Sequence, residues 1–121
     1  MDGKGAVPGD LVRMLGEAAA NIRALEAEAG RVVGQDPAAY KDLLVEKCRV
    51  LQSLPERAAP MLKGLEAKLS RSLAHSLENF AARASTALSV DSVFFMYALL
   101  YPDDYKDGDP NDLEAFISGL S

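Results

Sequence analysis

Leu11, Leu15, Ala18, Ile22, Leu25, Ala29 and Val32 recur at alternating intervals of four and three residues. An α-helix needs about 3.6 residues per turn, so this spacing keeps one apolar seam on one side of a helix for about three heptads. A strand would scatter the same residues over both faces, because its side chains alternate with period two. Glu17, Asn21, Arg23, Glu26, Glu28 and Arg31 fall off the seam. Such a helix must cover its seam with another helix, and Ala18 and Ala29 leave room for close approach.

The composition points the same way. Nineteen Ala and seventeen Leu, with no Trp, favour helix over sheet. At 121 residues the chain is long enough for one domain with a real core. Gly and Pro in Met1-Asp2-Gly3-Lys4-Gly5-Ala6-Val7-Pro8-Gly9 predict a disordered lead-in over 1–9, followed by a single helical domain over 10–121.

Capping signals divide that domain. Asp10 is read as the N-cap of the seam helix and Gly34 as its C-cap. Asp36-Pro37 restarts a helix, with an acid at the cap and Pro at the first position. Tyr40, Leu43, Leu44, Cys48, Val50, Leu51 and Leu54 give this second helix a broad apolar face, and the short connection predicts an antiparallel hairpin. Ser53-Leu54-Pro55-Glu56 matches a capping box, and Pro60 is expected to interrupt the helix. The third helix is therefore placed from about Pro60 to Leu88, with Leu62, Leu65, Leu69, Leu73, Leu77, Phe80, Ala84 and Leu88 on one face. It would be roughly 43 Å long at 1.5 Å per residue. A compact domain of this size spans roughly 35 Å, so the bundle should be elongated or the helix kinked. Ser89-Val90-Asp91 reads as a break with a new N-cap, and apolar Val93–Tyr101 as a short buried helix ended by Pro102. Asp109-Pro110 starts a last helix lined by Leu113, Phe116, Ile117 and Leu120. The predicted fold is all-α: an elongated helical bundle built on an antiparallel hairpin, a long third helix and short C-terminal helices.

Charge and aromatics are unevenly spread. Residues 91–121 carry six of the eight aromatic residues and seven acids against Lys106 alone, whereas residues 1–90 hold eleven acids and twelve bases. A pI near 4.8 argues against nucleic acid and against anionic membranes as partners. The longest apolar run, Val93 to Tyr101, is too short to span a bilayer. A lone cysteine, Cys48, fits a reducing cytoplasm.

Motifs that carry chemistry are weak. Arg71, His75 and Glu78 share a helix face that points away from the leucine stripe. Helical ribonucleases of the HEPN class pair an Arg and a His a few residues apart. The gap here is outside their usual spacing, and Leu73 stands among residues where that family is polar. A surface histidine is the simpler reading, since acid–base work needs a pocket. Asp107, Asp109 and Asn111 match the opening of a calcium loop, but the sixth position is Asp112 instead of Gly and the twelfth is Ser118 instead of Glu. No metal or other cofactor is predicted. Cys48 reads as a small buried hydrophobe.

The aromatic cluster at 94–105 either fills the end of the bundle or forms a recognition patch. In the second reading Tyr97, Tyr101 and Tyr105 lie beside Asp103, Asp104 and Asp107 and bind a basic or helical protein partner. Leu11, Leu15, Ala18, Ile22 and Leu25 are the candidate self-association residues, should the seam pair between two copies in a homodimer. In pattern, residues 11–54 resemble the long helices of flagellar and other secretion export chaperones, with a leucine seam, an acid-capped restart and the Leu43-Leu44-Val45-Glu46-Lys47 stretch. Unrelated helical hairpins share that pattern, so it assigns no family. The expected function is a non-enzymatic cytoplasmic protein–protein interaction module, an adaptor or small chaperone-like protein. The alternative is a small helical enzyme or nucleotide-handling bundle using Arg71, His75 and the acidic C-terminal loop. A third is a subunit whose fold is completed only by oligomerisation.

Overall fold

The computed structural model describes residues 7–120. Five helices follow one another: α1 (Gly9–Val32), α2 (Pro37–Leu62), α3 (Ala67–Ser89), α4 (Val93–Ala98) and α5 (Asp112–Ser118), with no strand among the described residues. The all-α reading therefore holds. Residues 1–6 of the expected lead-in lie outside the described residues, and the helix starts at Gly9 with Pro8 as its cap. Asp10 is inside the first turn, two residues past the cap position expected of it.

The three long helices pack side by side, with α2 between α1 and α3. Two cross-links fix the antiparallel sense of α2 and α3, and the short connection over 33–36 folds α2 back along α1. Lys47 of α2 meets Glu26 of α1, while Lys41 and Gln52 of α2 meet Asp91 after α3 and Ser85 within it. The core runs along this layer. Leu11, Leu15, Ala18, Ile22 and Ala29 of the seam are buried; Leu25 and Val32 are partly so.

The boundary between α2 and α3 corrects the sequence reading. α2 runs through both Pro55 and Pro60 to Leu62, and α3 begins at Ala67. Ser53 is not a cap; its hydroxyl donates to the Val50 carbonyl from inside the helix. Each proline costs a helix about 3 kcal/mol in lost hydrogen bonding and crowding. Continuing the helix keeps Leu51, Leu54, Ala58 and Leu62 on one buried line. Burial stabilises by about 1.5–3 kcal/mol per large aliphatic side chain, and Pro60 falls in the last turn, where few bonds remain to break. The true stop is Gly64, which adopts φ +86° just beyond the C-cap Lys63. Glu66 then caps α3, accepting from the Leu69 N–H at 2.9 Å. With 23 residues, α3 is about 35 Å long, so it fits a compact domain without a kink.

The other turns follow the same logic. Gly34 (φ +81°) closes α1 one residue beyond its C-cap, Val33, and Asp36 caps α2 through the Ala39 N–H as expected. Asp91 is not the N-cap of α4. It takes the left-handed position after α3 (φ 54°), and Ser92 caps α4 by accepting from the Phe95 N–H. α5 is capped by Asn111, not Asp109. Asn111 and Glu114 form a reciprocal capping box, and the Asp109 carboxylate accepts from the Lys106 N–H in the preceding turn.

The C-terminal segment closes over the layer. α5 packs on α1 and reaches α3 through Phe116 on Phe80 (5.7 Å between ring centroids) and Asp112 on Arg83 (3.1 Å). Leu100, with φ 78°, is buried, and its carbonyl accepts from Asp112 N at 2.8 Å. A left-handed leucine is unfavourable, and burial plus this hydrogen bond hold it there.

Candidate functional site

A single ammonium group fastens three elements together. Lys47 Nζ lies 2.8 Å from Glu26 Oε2 and donates to the carbonyls of Tyr97 and Leu99, each at 3.0 Å. Those carbonyls end α4, where no further turn supplies donors. The Lys47 side chain is fully buried and that of Glu26 nearly so. The Tyr101 hydroxyl donates to Glu26 Oε1, and the Lys47 ammonium stands 5.2 Å from the Tyr101 ring centre and 5.9 Å from that of Tyr97. Burial pulls the Lys47 pKa below its ordinary 10.5, and the adjacent Glu26 carboxylate opposes that pull. With its donors engaged on Glu26 and two carbonyls, Lys47 is a clamp between α1, α2 and α4.

A second cation holds the next stretch of chain. Arg23 of α1 grips Glu114 of α5 through Nε (2.9 Å) and Nη2 (2.7 Å), the two-point geometry that suits a guanidinium to a carboxylate. The same guanidinium donates to the hydroxyls of Tyr101 (3.2 Å) and Tyr105 (3.3 Å) and to the Asp109 carbonyl (3.3 Å). Tyr105 in turn donates to that carbonyl at 2.7 Å. Arg23 holds the Glu114 carboxyl below its usual value, and burial pushes the Tyr101 hydroxyl well above its own. Asn111 is buried under the loop. Its Oδ1 caps α5, while its Nδ2 finds no hydrogen-bond partner.

This fastening leaves α4 facing outward. The expectation that Val93–Tyr101 is buried all round is corrected: Met96, Leu99 and Leu100 point inward, whereas Phe94 is 73% exposed, Phe95 53% and Tyr97 49%. The clamp at the end of this six-residue helix sets which face turns inward. Val90 at the end of α3 is 51% exposed, so four of the five large exposed hydrophobics among the described residues fall within residues 90–97. Phe94 and Phe95 meet edge-to-face at 5.6 Å. Two clefts flank α4. One, about 360 Å³, is lined by Arg83, Thr86, Ala87, Val90, Phe95, Ala98 and Leu99. The other, about 370 Å³, is lined by Arg23, Tyr97, Ala98, Tyr101, Tyr105 and Asp107.

The structure thus gathers some of the expected site and redistributes the rest. Tyr97, Tyr101 and Tyr105 do form a continuous ladder, with ring centroids 6.4 Å and 4.8 Å apart. Tyr101 and Tyr105 spend their hydroxyls on internal partners, so Tyr97 is the most open of the three. Asp103, Asp104 and Asp107 are exposed on the adjoining loop. Leu11, Leu15, Ala18 and Ile22 are buried within the single chain, and Leu25 is partly buried. Arg71, His75 and Glu78 are exposed on α3, and none lines the clefts described above or the smaller one, about 140 Å³, between Phe80 and Phe116. Cys48 is buried, and burial raises its thiol above the ordinary 9.0. Among the described residues no group of three or more His, Cys, Asp and Glu side chains is placed to hold a metal ion.

Sequence reasoning placed Glu26 off the seam, gave Lys47 no structural role, and missed Phe94 and Phe95 as exposed groups. A signal existed for the first pair. Lys47 stands three residues after Leu44 and four before Leu51, on the buried line of α2, and Glu26 follows Ile22 by four on α1. A charge inside an apolar stripe calls for a partner. No family model matches the chain, and no curated protein or solved structure matches it either.

Proposed function

We propose that this protein is a non-enzymatic interaction module of the cytoplasm, an adaptor or small chaperone-like protein that offers α4 and its flanking clefts to a protein partner. The concentration of exposed Val90, Phe94, Phe95 and Tyr97 at one end supports this reading, because isolated exposed hydrophobics are ordinary but a contiguous aromatic patch is not. Aromatic residues on a rigid base are also the usual anchors of protein interfaces. The rigid base is the Lys47–Glu26 clamp and the Arg23–Glu114 pair. The enzymatic alternative finds less support: Arg71 and His75 are open to solvent and share no cleft with the acidic loop. Cytoplasmic residence is supported by a single buried free cysteine, and no described helix is long and apolar enough to cross a membrane. The homodimer through the seam finds less support, because Leu11, Leu15, Ala18 and Ile22 are buried inside the single chain.

The test is a paired affinity capture with the wild type and a Phe94→Ser/Phe95→Ser variant, both checked for equal helicity. Partners recovered with the wild type and lost with the variant support the reading. Identical recovery from both proteins overturns it.

A further inference from the structure

Resting on the interaction-module reading, we infer that the tyrosine cleft is a docking site for a lysine- or arginine-bearing segment of the partner. Three independent features converge there. Its walls are tyrosine rings: Tyr97, Tyr101 and Tyr105 line the cleft of about 370 Å³, a size in the range of sites that take a side chain or small ligand. Its rings already seat cations. Lys47 Nζ and the Arg23 guanidinium carbon lie 5.2 Å and 5.7 Å from the Tyr101 ring centre, within the distance at which a ring attracts positive charge, and half-exposed Tyr97 keeps area open to solvent. Its rim is acidic. Asp107 lines the cleft, and Asp103 and Asp104 stand exposed on the same loop, with Lys106 the loop's one base.

The cation already lining the cleft does not cancel this. Arg23 is held two-pointed by Glu114, so its charge is matched within the chain. Asp112 is matched by Arg83 and Asp91 by Lys41, whereas Asp103, Asp104 and Asp107 make no ion pair with any described residue. The charge left for a partner is therefore negative. An anionic ligand would meet repulsion from the rim. A long basic side chain can lay its methylene stem along Tyr97 and bring its head to Asp107. The exposed Phe94 and Phe95 next along α4 offer apolar contact to the same segment.

The test is a titration of the ¹⁵N-labelled protein with a capped tetralysine peptide, with a capped tetraglutamate peptide and with spermine. Saturable binding of tetralysine, with shifts centred on Tyr97, Tyr101, Tyr105 and Asp107, is expected, and tetraglutamate should produce none. Tyr97→Ala and Asp107→Asn, both at exposed positions, should each weaken tetralysine binding about tenfold or more while leaving the spectrum otherwise folded. Spermine should bind more weakly, because it lacks a backbone and separate stems. Three results overturn the inference: no saturation at millimolar tetralysine, affinity unchanged in both variants, or spermine binding as tightly as the peptide. Failure here leaves the Phe94/Phe95 capture experiment standing, whereas failure there removes the partner and is told apart by whether the cleft still binds tetralysine.

Discussion

Replacing Lys47 with Met removes the clamp charge while keeping a side chain of similar length. The loss can be worked from what it strands. Glu26, whose side chain is 9% exposed, keeps only the Tyr101 hydroxyl as partner, and the carbonyls of Tyr97 and Leu99 lose their donor. Breaking a buried ion pair from one side costs about 3–5 kcal/mol, a large part of the roughly 5–15 kcal/mol that holds a domain folded. For a chain of this size that corresponds to a fall in Tm of roughly 10–20 °C. Urea unfolding monitored by circular dichroism measures it. A Lys47→Met/Glu26→Leu double variant should lose less than the sum of the single losses, by about 1–3 kcal/mol, since the second change removes the stranded carboxylate. Hydrogen exchange localises the effect: amides of residues 93–118 should lose protection before those of α1 and α2. A loss under about 0.5 kcal/mol with unchanged protection at 93–118 would refute the reasoning.

Further outcomes follow from other parts of the structure. Glu114 has a folded pKa depressed below its ordinary 4.5, chiefly by Arg23, so its stabilising contribution is complete above 4.5 and is lost as pH falls through the folded value. Acid unfolding followed by circular dichroism should therefore show a shallower pH dependence below 4.5 in Glu114→Gln than in the wild type. At alkaline pH, the raised values of Cys48 and Tyr101 make stability fall as pH rises above their ordinary 9.0 and 10.0. Lys47, depressed by burial, acts in the opposite sense just below 10.5, so Lys47→Met should steepen the alkaline decline. Because Pro60 lies inside α2, Pro60→Ala should raise stability by about 1 kcal/mol or more in thermal unfolding, whereas a helix start at Pro60 would make the change neutral or harmful. Gly64→Ala meets no atom within 4 Å, so its expected cost of about 1–2 kcal/mol is purely that of the left-handed backbone. Leu15→Glu should unfold the protein, and analytical ultracentrifugation should show no folded monomer released by it, because Leu15 is buried within one chain.

Much of the fold was legible because its signals are local. The seam of α1, the Asp36-Pro37 start of α2 and the Gly34 stop depend on residues within a few positions of one another. The α2–α3 boundary was misplaced because Pro60 is also a local signal, and the burial of Leu54, Ala58 and Leu62 that overrides it depends on α1 and α3. The same contrast runs through the site. The ladder of Tyr97, Tyr101 and Tyr105 is visible as residues spaced by four. The partners that settle its role lie far off in sequence, Glu26 at 75 residues from Tyr101 and Arg23 at 82 from Tyr105. Which aromatic residues stay exposed depends on the orientation of α4, and the carbonyls of Tyr97 and Leu99 on Lys47 fix it.

Site-specific photo-crosslinking tests the proposal that the clamp presents α4 to a partner. A benzophenone amino acid at Phe94, in cells expressing the full chain, should give a discrete adduct. The same probe at Glu56, exposed on α2, should not, and Lys47→Met should abolish the Phe94 adduct. An absent adduct at Phe94, or the same adducts from both positions, would contradict the account.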